Sequence, residues 1–432
     1  MFDFLILISR YLFIIYIAVF IFQGLIYVVD ERKGDPRRLP KAVSIQRSMI
    51  ILMHITAYSI IIWDREAKTI NINVAVSGIA ALIYIFVSYH LLRKIYKHGC
   101  PLIWNCMYFL MDAGLIMLQR LNPTLAGKQL IWMTVSAALI MLIPPMLKIL
   151  PKLEKFQAFY FCLSLALILM PFILGDEENG SLNWIKIKGI GFQPSEIVKF
   201  LFLLYIACVF RKPLDFKKLC IVSGFSAFIV LCLVLQKDLG GALIFFVTYM
   251  LLLYITTSNF LLLAAGFGAM ALASIIAYNL FGHVRVRVST WLDPWTDAGN
   301  TGYQITQSLF AITTWGFLGS GLTRGMPGKI PVVERDFIFS AICEEMGTLF
   351  GVGMVSFQTF LILGGVKKLI PLTGVTLPFV SYGGSSVLVS VALMGLLQWA
   401  NGTPAERIKR EEEEEENFEN KLSVFGFFKK KA

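Results

Sequence analysis

Long apolar stretches separated by short polar segments run through most of this 432-residue chain. Many of them are about 20 residues long, the length at which an α-helix crosses a hydrocarbon layer of ~30 Å. None alternates polar and apolar residues in the manner of a membrane barrel strand. Lipid cannot hydrogen-bond an open strand edge, so helices are the spanning structure that remains. The pattern therefore predicts an all-α, polytopic transmembrane bundle of about 11–13 helices.

The predicted spans lie near residues 4–29, 48–63, 72–92, 102–119, 129–147, 157–175, 195–210, 217–235, 240–256, 259–280 and 378–399. The first is too long and too uniformly apolar for the core of a signal peptide, so we expect it to be retained as an anchor. Hydrophobic residues make up 57% of the chain and charged residues 16%, against about 25% charged in soluble domains. This composition excludes an ordinary soluble domain.

The formal net charge of +11 comes from Lys and Arg residues that concentrate in alternate loops. These residues are Arg32, Lys33, Arg37, Arg38, Lys41 and Arg47; Arg93, Lys94 and Lys97; Lys148, Lys152 and Lys155; and Arg211, Lys212, Lys217 and Lys218. By the positive-inside rule we expect these loops to be cytoplasmic, and no nucleic-acid partner is needed to explain the charge. The charged tail, residues 401–432, is predicted to be a solvated cytoplasmic end, with a docking segment as the alternative.

The longest of the outward-facing loops is the polar segment 281–336, which we expect to carry short helices outside the cell. It contains Leu292-Asp-Pro-Trp-Thr-Asp297 together with Arg285 and Arg287. A carboxylate among aromatic and cationic side chains suits sugar-phosphate chemistry, with Asp297 as general base and the arginines on the leaving phosphate. Aromatic residues at a membrane surface also form an interfacial belt, and loop arginines also bind lipid headgroups, so that alternative stays open.

Charged residues at or inside a predicted span indicate functional positions, because lipid penalises an unpaired charge. Glu196 and Lys199 lie three residues apart on one helix face, either as an ion pair at an ordinary helix start or as part of a polar site. Glu344 and Glu345 lie roughly two turns into an apolar helix, and we expect them to face a polar cavity. Asp112 is isolated in its span, and no role is assigned to it.

Several ordered motifs extend over residues 104–400. They are Asn183-Trp-Ile with Gly191-Phe-Gln-Pro-Ser-Glu196; Lys237-Asp-Leu-Gly-Gly-Ala242; Leu292-Asp-Pro-Trp-Thr-Asp297 with Gly302-Tyr-Gln-Ile-Thr-Gln-Ser308; Gly316-Phe-Leu-Gly-Ser-Gly321; Asp336-Phe-Ile-Phe with Glu344-Glu-Met-Gly347; and Pro371-Leu-Thr-Gly-Val-Thr-Leu-Pro378 with Ser381-Tyr-Gly-Gly-Ser-Ser386. In this order they resemble the SEDS family (shape, elongation, division and sporulation), whose members include FtsW, RodA and SpoVE.

The resemblance implies a peptidoglycan glycosyltransferase that polymerises lipid II at the outer face of the bacterial cytoplasmic membrane, usually with a class B penicillin-binding protein. The family's essential loop aspartate falls on Asp297, as general base towards the acceptor sugar's 4-hydroxyl, with undecaprenyl pyrophosphate as the leaving group. We predict substrate contacts from Trp184, Glu196, Lys199, Arg285, Arg287, Glu344, Glu345, Ser381, Gly383 and Ser385. No cofactor or metal site is evident, and a role for a divalent cation stays open.

Two regions depart from the family's pattern. Residues 1–100 add about three helices before the resembling core, 101–400, either as an anchor or as a module for regulation or partner binding. The region 346–370 looks about thirty residues too short for the two crossings expected there, which need ~40 residues. We favour a re-entrant hairpin bent at Gly347, Gly351 and Gly353, because a single crossing would place the tail outside, against the charge pattern.

Three functions fit these residues: a lipid II polymerase, a flippase for lipid-linked precursors, and an inactive homologue that scaffolds a wall-synthesis complex. Only the polymerase requires Asp297 in the extracellular loop. A flippase would depend more on Glu196, Lys199 and the Glu344–Glu345 pair. The shortened region gives weight to the scaffold. The sequence does not distinguish a role in division from one in elongation or sporulation.

Overall fold

The computed structural model describes residues 2–33, 38–64, 69–97, 99–149, 153–178, 181–187, 190–210, 215–361 and 377–400. The helices that precede the long polar segment are α1 (Phe2–Arg32), α2 (Leu39–Ile61), α3 (Ile72–Ile95), α4 (Pro101–Leu121), α5 (Pro123–Ile149), α6 (Gln157–Leu174), α7 (Pro194–Phe210), α8 (Phe216–Leu235), α9 (Leu239–Thr257) and α10 (Phe260–Leu280). Those within and after it are α11 (Gly282–Leu292), α12 (Tyr303–Thr314), α13 (Ile338–Met346), α14 (Thr348–Leu361) and α15 (Gly384–Ala400).

Short strands occur in two of the connections between helices. Strands β1 (Trp63–Asp64) and β2 (Thr69–Ile70) form an antiparallel pair between α2 and α3. Strands β3 (Asp176–Glu178), β4 (Ser181–Ile187) and β5 (Ile190–Phe192) form an antiparallel sheet in that order between α6 and α7. The second sheet carries Trp184, one of the predicted substrate residues.

Each predicted span corresponds to a helix, which confirms the all-α polytopic bundle. Eight helices in the described part of the chain, α1, α3–α6 and α8–α10, are long and apolar enough to cross a membrane. The polar segment 281–336 carries the short helices α11 and α12, as predicted.

Three helices begin away from their predicted positions. Helix α5 begins at Pro123 rather than near residue 129. Helix α2 begins at Leu39 rather than near residue 48, because Pro40 is well placed in a first helical turn and the helix continues through the cationic residues that follow. Helix α15 begins at Gly384 rather than near residue 378, because the preceding residues form turns and Phe379 has a φ of 68°.

Helix α4 lies at the centre of the bundle. Its most apolar window is 89% buried, whereas the other candidate spans are at most 39% buried. It contacts α2, α3, α5, α13 and α14, and its side chains belong to a hydrophobic core shared with the helices at both ends of the described chain. A second core is formed by side chains of α6, α7, α8 and α9. Helix α10 contacts α9 and α11 and contains no buried residue.

A buried polar contact joins the N-terminal helices to α4. His54 Nδ1 lies 2.6 Å from Asp112 Oδ1, and His54 Nε2 lies 3.0 Å from the carbonyl oxygen of Gly78. A carbonyl only accepts, so Nε2 must donate, and a proton must therefore lie between Nδ1 and the carboxylate. Asp112, to which the sequence assigned no role, thus shares a proton with the His54 imidazole at the point where α2, α3 and α4 meet.

The segment before α15 lies directly on α4 and α5. A Cβ atom at Gly114 would collide with the backbone of Val380, and one at Gly384 would collide with the indole of Trp132. Glycine at both positions allows this close approach. The position of the predicted substrate residues in this segment therefore depends on helices that come much earlier in the chain.

Two short helices meet at the start of the shortened region, and within the described residues neither reaches the length of a crossing. Helix α13 has 9 residues and α14 has 14, and a crossing needs about 20. They meet at Gly347, whose φ of 99° requires glycine, whereas Gly351 and Gly353 lie within α14. The return through residues 362–376 and the tail 401–432 lie outside the described residues, so the hairpin and the cytoplasmic tail stay predictions.

Candidate active site

Asp297 lies in the tight turn that joins α11 to α12. Its Oδ1 accepts a 2.9 Å hydrogen bond from the side-chain amide of Asn300. Its Oδ2 accepts from the hydroxyl of Thr301 at 2.7 Å and from the Thr301 N–H at 3.1 Å. Gly302 closes the turn by donating its N–H to the Asp297 carbonyl, and a Cβ there would collide with the carbonyl of Pro294. The turn therefore fixes the carboxylate through groups within five residues of it.

These hydrogen bonds keep the carboxylate ionised. The Thr301 hydroxyl, followed by the Thr301 N–H and the Asn300 amide, lowers the pKa of Asp297 below its ordinary value, because each donor favours the charged form. Asp293 is similar: its pKa is lowered by the Thr296 hydroxyl and the Trp295 N–H. The loop thus presents two ionised carboxylates, of which Asp297 is the one predicted to be catalytic.

Trp184 is positioned by the turn between α8 and α9. Its neighbour Asn183 donates to Asp238 Oδ2 at 3.1 Å, and Gln193, just before α7, donates to the same oxygen at 3.3 Å. Asp238 Oδ1 accepts the N–H of Gly241 at 2.8 Å and thereby caps α9. One carboxylate therefore joins the β4 strand, the start of α7 and the start of α9.

Arg335 lies between two aromatic rings at the end of the polar segment. Its guanidinium carbon is 5.7 Å from the ring centroid of Trp184 and 6.0 Å from that of Tyr382. Tyr382 also donates its N–H to the carbonyl of Glu334 at 3.0 Å. These contacts bring the second sheet, the end of the polar segment and the segment before α15 to one place. The sequence places Arg335 near the end of the polar segment but gives no sign of its aromatic neighbours.

Ser381 and Gly383 are positioned by Gln129, a fully buried residue of α5. The Gln129 amide donates to the Ser381 carbonyl at 3.2 Å and accepts from the Gly383 N–H at 3.3 Å. The Ser381 hydroxyl accepts the Leu377 N–H at 2.9 Å, so it completes its own turn. Ser385 is half-buried in the first turn of α15. Sequence reasoning missed Gln129, although a polar residue at the start of a predicted span was the available signal.

Glu196 and Lys199 form an ion pair on α7. Lys199 Nζ lies 2.7 Å from Glu196 Oε1, with Glu196 buried and Lys199 half-buried. Pro194 opens the helix, where its missing N–H costs no hydrogen bond. The geometry matches the predicted pairing, while their contact with substrate stays a prediction.

Glu344 and Glu345 are buried beneath backbone of the polar segment, while the polar cavity expected beside them stays a prediction. Glu345 is fully buried and accepts the N–H groups of Thr323 at 3.1 Å and Gly325 at 3.2 Å, with Arg120 at 3.3 Å. Glu344 accepts the Met326 N–H at 2.7 Å. The two carboxylates thus join the polar segment to α13. Arg120, at the end of α4, supplies the cation that such a buried pair needs, and sequence reasoning did not identify it.

Arg285 and Arg287 both lie on α11. Arg285 is exposed and donates to the Asn279 carbonyl at 3.4 Å, while Arg287 is half-buried. The hydrogen bonds of Asp297 stay within its own turn, whereas Trp184 and the Ser381 segment meet at Arg335. Among the described residues, no group of three His, Cys, Asp or Glu side chains lies close enough together to hold a metal ion.

Comparison with known proteins identifies the family. The family model FTSW_RODA_SPOVE, described as a cell cycle protein, matches residues 102–355 and 350–403. The chain belongs to the FtsW/RodA/SpoVE family. The peptidoglycan glycosyltransferase RodA of Mycobacterium tuberculosis is 31% identical over 384 residues, covering 73% of this chain and 81% of the relative. A probable peptidoglycan glycosyltransferase FtsW of Alcanivorax borkumensis is 29% identical over 372 residues, covering 72% and 94%.

A solved structure shares the fold of this FtsW/RodA/SpoVE member. It is a chain from a peptidoglycan synthase complex that coordinates polymerization and crosslinking. It superimposes with a TM-score of 0.50 at 25% identity, covering 70% of this chain and 97% of the other. All the predicted site residues lie within the family-matched segments, and those two segments overlap at residues 350–355, within α14.

Proposed function

We propose that this chain is a peptidoglycan glycosyltransferase that polymerises lipid II, with Asp297 as the general base. The observation that carries the proposal is the position of this carboxylate, which three hydrogen bonds hold at the exposed turn of the polar loop in a membrane-embedded family member. A carboxylate offers about four lone-pair sites, and the turn uses three of them. One site is left for an acceptor hydroxyl.

The reaction forms a bond between the acceptor's 4-oxygen and the donor's anomeric carbon and breaks the bond between that carbon and the diphosphate oxygen. The acceptor proton passes to Asp297, and the electron pair of the broken bond leaves with the diphosphate. Arg285 and Arg287, on the helix that leads to the Asp297 turn, are the cations assigned to the departing charge. Trp184, Glu196, Lys199, Ser381, Gly383 and Ser385 are assigned to substrate binding.

We assign the polar segment to the outer face of the cytoplasmic membrane. The N-terminal end of α1, the C-terminal end of α4 and the polar segment lie on one side of the bundle, because Asp3 pairs with Arg324 at 2.7 Å and Arg120 pairs with Glu345. The cationic loops connect the opposite helix ends, which the positive-inside rule places in the cytoplasm. A class B penicillin-binding protein is the proposed partner, supported by the likeness to a chain of a synthase complex.

The proposal is tested with purified protein and labelled lipid II, with and without a class B penicillin-binding protein. Wild type is compared with Asp297→Ala and with Asp293→Ala, which removes another carboxylate of lowered pKa from the same loop. Polymer from wild type and from Asp293→Ala, but not from Asp297→Ala, is the expected result. Equal polymer from wild type and Asp297→Ala would show that the base lies elsewhere.

A catalytically inactive scaffold is the second candidate, favoured by the short helices α13 and α14. Within the described residues neither reaches the about 20 residues that a crossing needs, and the family match is split at residues 350–355. On this reading, no variant of the natural chain makes polymer, while the partner still co-purifies with the protein. Insertion of the corresponding segment of a family relative after Met354 would then restore polymer if only the helical wall were missing.

A further inference from the structure

Arg335 contacts two aromatic rings that come from distant parts of the chain. Its guanidinium carbon lies 5.7 Å from the ring centroid of Trp184, in β4, and 6.0 Å from that of Tyr382, just before α15. A cation–π contact extends to about 6 Å from the centroid, so both rings are within its range. All three side chains are half-buried, so part of each stays accessible. One cation therefore joins two accessible rings.

A strained turn presents Arg335 at this point. The N–H groups of Arg335 and Asp336 both donate to the carbonyl of Val332 at 3.2 Å, and Val332 has a φ of 55°. A β-branched residue rarely adopts this left-handed conformation, because its Cβ comes too close to the following carbonyl oxygen. Such strain persists where surrounding contacts fix the backbone, and it is concentrated at functional sites. The turn therefore indicates a functional reason for the position of Arg335.

The segment that carries Tyr382 contains a second bulky residue in the left-handed region. Phe379 is 2% exposed and has a φ of 68°. The N–H of Tyr382 donates to the carbonyl of Glu334 at 3.0 Å, so the backbone beside Arg335 is joined directly to that of Tyr382. Ser381, the residue before Tyr382, is assigned to substrate binding. The Arg335 turn thus helps to place a segment that belongs to the proposed substrate site.

The indole of Trp184 is also held by its own sheet. Gly191, in β5, lies so close to the indole that a Cβ atom there would be 3.3 Å from Cε3 of Trp184. Leu182, two residues earlier in β4, donates its N–H to the carbonyl of Gln236 at 3.0 Å. The sheet and the turn after α8 therefore fix the strand, and Arg335 joins the indole to the polar segment.

We infer that Arg335 is a positioning residue that holds Trp184 and Tyr382 together as one surface for a sugar ring of the lipid-linked substrate. The inference rests on the proposed function and adds Tyr382 to the residues assigned to substrate binding. Trp and Tyr offer large, rigid surfaces to the apolar C–H faces of a sugar and lose little conformational entropy on binding. Arg335 acts through the two rings: its planar group stacks with them and orders them before the substrate arrives, so less affinity is lost to ordering.

The test compares lipid II binding, measured by the fluorescence anisotropy of dansyl-labelled lipid II titrated with the full chain in detergent. The parent chain and all variants carry Asp297→Ala, so that no turnover disturbs the titration. Arg335→Gln should weaken binding about tenfold, because both rings lose their cation. In a chain that also carries Trp184→Leu, Arg335→Gln should weaken binding by a smaller factor, because one of the two rings through which it acts is gone.

Arg47→Gln is the matched control. The guanidinium carbon of Arg47 lies 5.4 Å from the ring centroid of Tyr89, so the same substitution removes the same kind of contact between α2 and α3. Lipid II should bind to this variant as it does to the parent. Arg335→Lys keeps the charge but loses the planar group, and it should bind lipid II more weakly than the parent. It carries the comparison if thermal unfolding shows that Arg335→Gln does not fold.

Equal binding with and without Arg335→Gln would overturn the inference and leave the catalytic assignment standing, as would parent-like binding by Arg335→Lys where the Gln variant is unfolded. Effects of Arg335→Gln and Trp184→Leu that simply multiply would also overturn it, since Arg335 would then act independently of the indole. Polymer from the Asp297→Ala chain would instead refute the catalytic assignment and leave the binding comparison valid.

The split between KM and kcat supplies a second readout, in chains that keep Asp297. Arg335→Gln should raise the KM for lipid II and leave kcat unchanged, because Arg335 acts on binding through the rings and not on the reacting atoms. A lowered kcat at unchanged KM would contradict the positioning role.

Discussion

At Asp297, the hydrogen bonds that keep the carboxylate ionised also make it a weaker base. The Thr301 hydroxyl contributes most to the lowered pKa, ahead of the backbone N–H of Thr301 and the amide of Asn300. An acceptor hydroxyl that approaches the carboxylate competes with these donors. The proposed base is therefore deprotonated at neutral pH but has less affinity for the proton that the proposed reaction gives it.

Removal of the Thr301 hydroxyl tests this balance. In Thr301→Val the pKa of Asp297 should rise towards its ordinary value, because the strongest donor to Oδ2 is lost. A base with a depressed pKa loses activity only as pH falls through that pKa, so the acidic limb of the polymerisation profile should move to higher pH. Thr296→Val, which removes the corresponding donor to Asp293, should leave this limb in place. An unchanged limb in Thr301→Val would contradict the assignment of Asp297.

Gln129 offers a second test at the level of one side chain. Gln129→Leu removes the side-chain amide that binds two backbone groups. These groups, the Ser381 carbonyl and the Gly383 N–H, then lose this partner. A buried polar group left unpaired costs about 1–3 kcal/mol, so thermal unfolding in detergent should occur at lower temperature and polymerisation should fall. Thr134→Val, on the same helix, removes only a bond to the helix's own backbone and should change little. Equal unfolding temperatures for the two variants would count against the positioning role.

At the scale of elements, α4 and α5 place the segment that carries Ser381 and Gly383. Helix α4 is nearly surrounded by protein, and glycine at two positions allows the segment to contact both helices. The polar segment is joined to the bundle separately, through Glu344 and Glu345 of α13 and through Arg335. The site is thus assembled from elements that are themselves fixed by packing.

Gly114→Ala tests the contact between α4 and the segment before α15. The added Cβ would collide with the backbone of Val380, so the segment must move, and overpacking of this kind costs about 1–3 kcal/mol. Polymerisation should decrease along with thermal stability. Gly127→Ala, at a helical position with open space around it, is the control, and it should be neutral or stabilising by up to about 1 kcal/mol. Wild-type behaviour of Gly114→Ala would show that the segment is free to shift.

At the scale of the whole molecule, the N-terminal helices are integrated with the family-matched part of the chain. The family match begins at residue 102, after α3. Yet α1 contacts α13 and α14, Asp3 pairs with Arg324 of the polar segment, and His54 shares a proton with Asp112. These contacts place α1 beside the short helices α13 and α14 and join α2 to α4, and these helices share one hydrophobic core.

The His54–Asp112 pair tests this integration. In His54→Leu the carboxylate of Asp112 is left buried and unpaired, which should cost about 3–5 kcal/mol and lower the unfolding temperature strongly. The double variant His54→Leu/Asp112→Leu replaces both groups with apolar ones and should regain much of the lost stability. Thermal unfolding in detergent measures both. A double variant as unstable as the sum of the two single variants would indicate that the two side chains act independently.

Local sequence patterns predicted most of the fold. The sequence anticipated every span and the presence of short helices in the polar segment. It also anticipated the pairing of Glu196 with Lys199. Each of these features depends on residues that are close in the chain. The covering of Glu344 and Glu345 was not anticipated: the sequence predicted that they face a polar cavity, but not that N–H groups of the polar segment bind them. Which surface covers a carboxylate depends on distant segments.

The sequence by itself determined the membrane-spanning architecture, the family and the place of Asp297 in a polar loop, through hydropathy, charge placement and ordered motifs. The tertiary structure decided which residues meet: His54 with Asp112, 58 residues apart, and Gln129 with Ser381, 252 residues apart. In lipid, the faces of a helix that contact other helices and those that contact acyl chains are both apolar. Hydrophobic periodicity therefore reveals that a helix spans the membrane but not which neighbours it contacts.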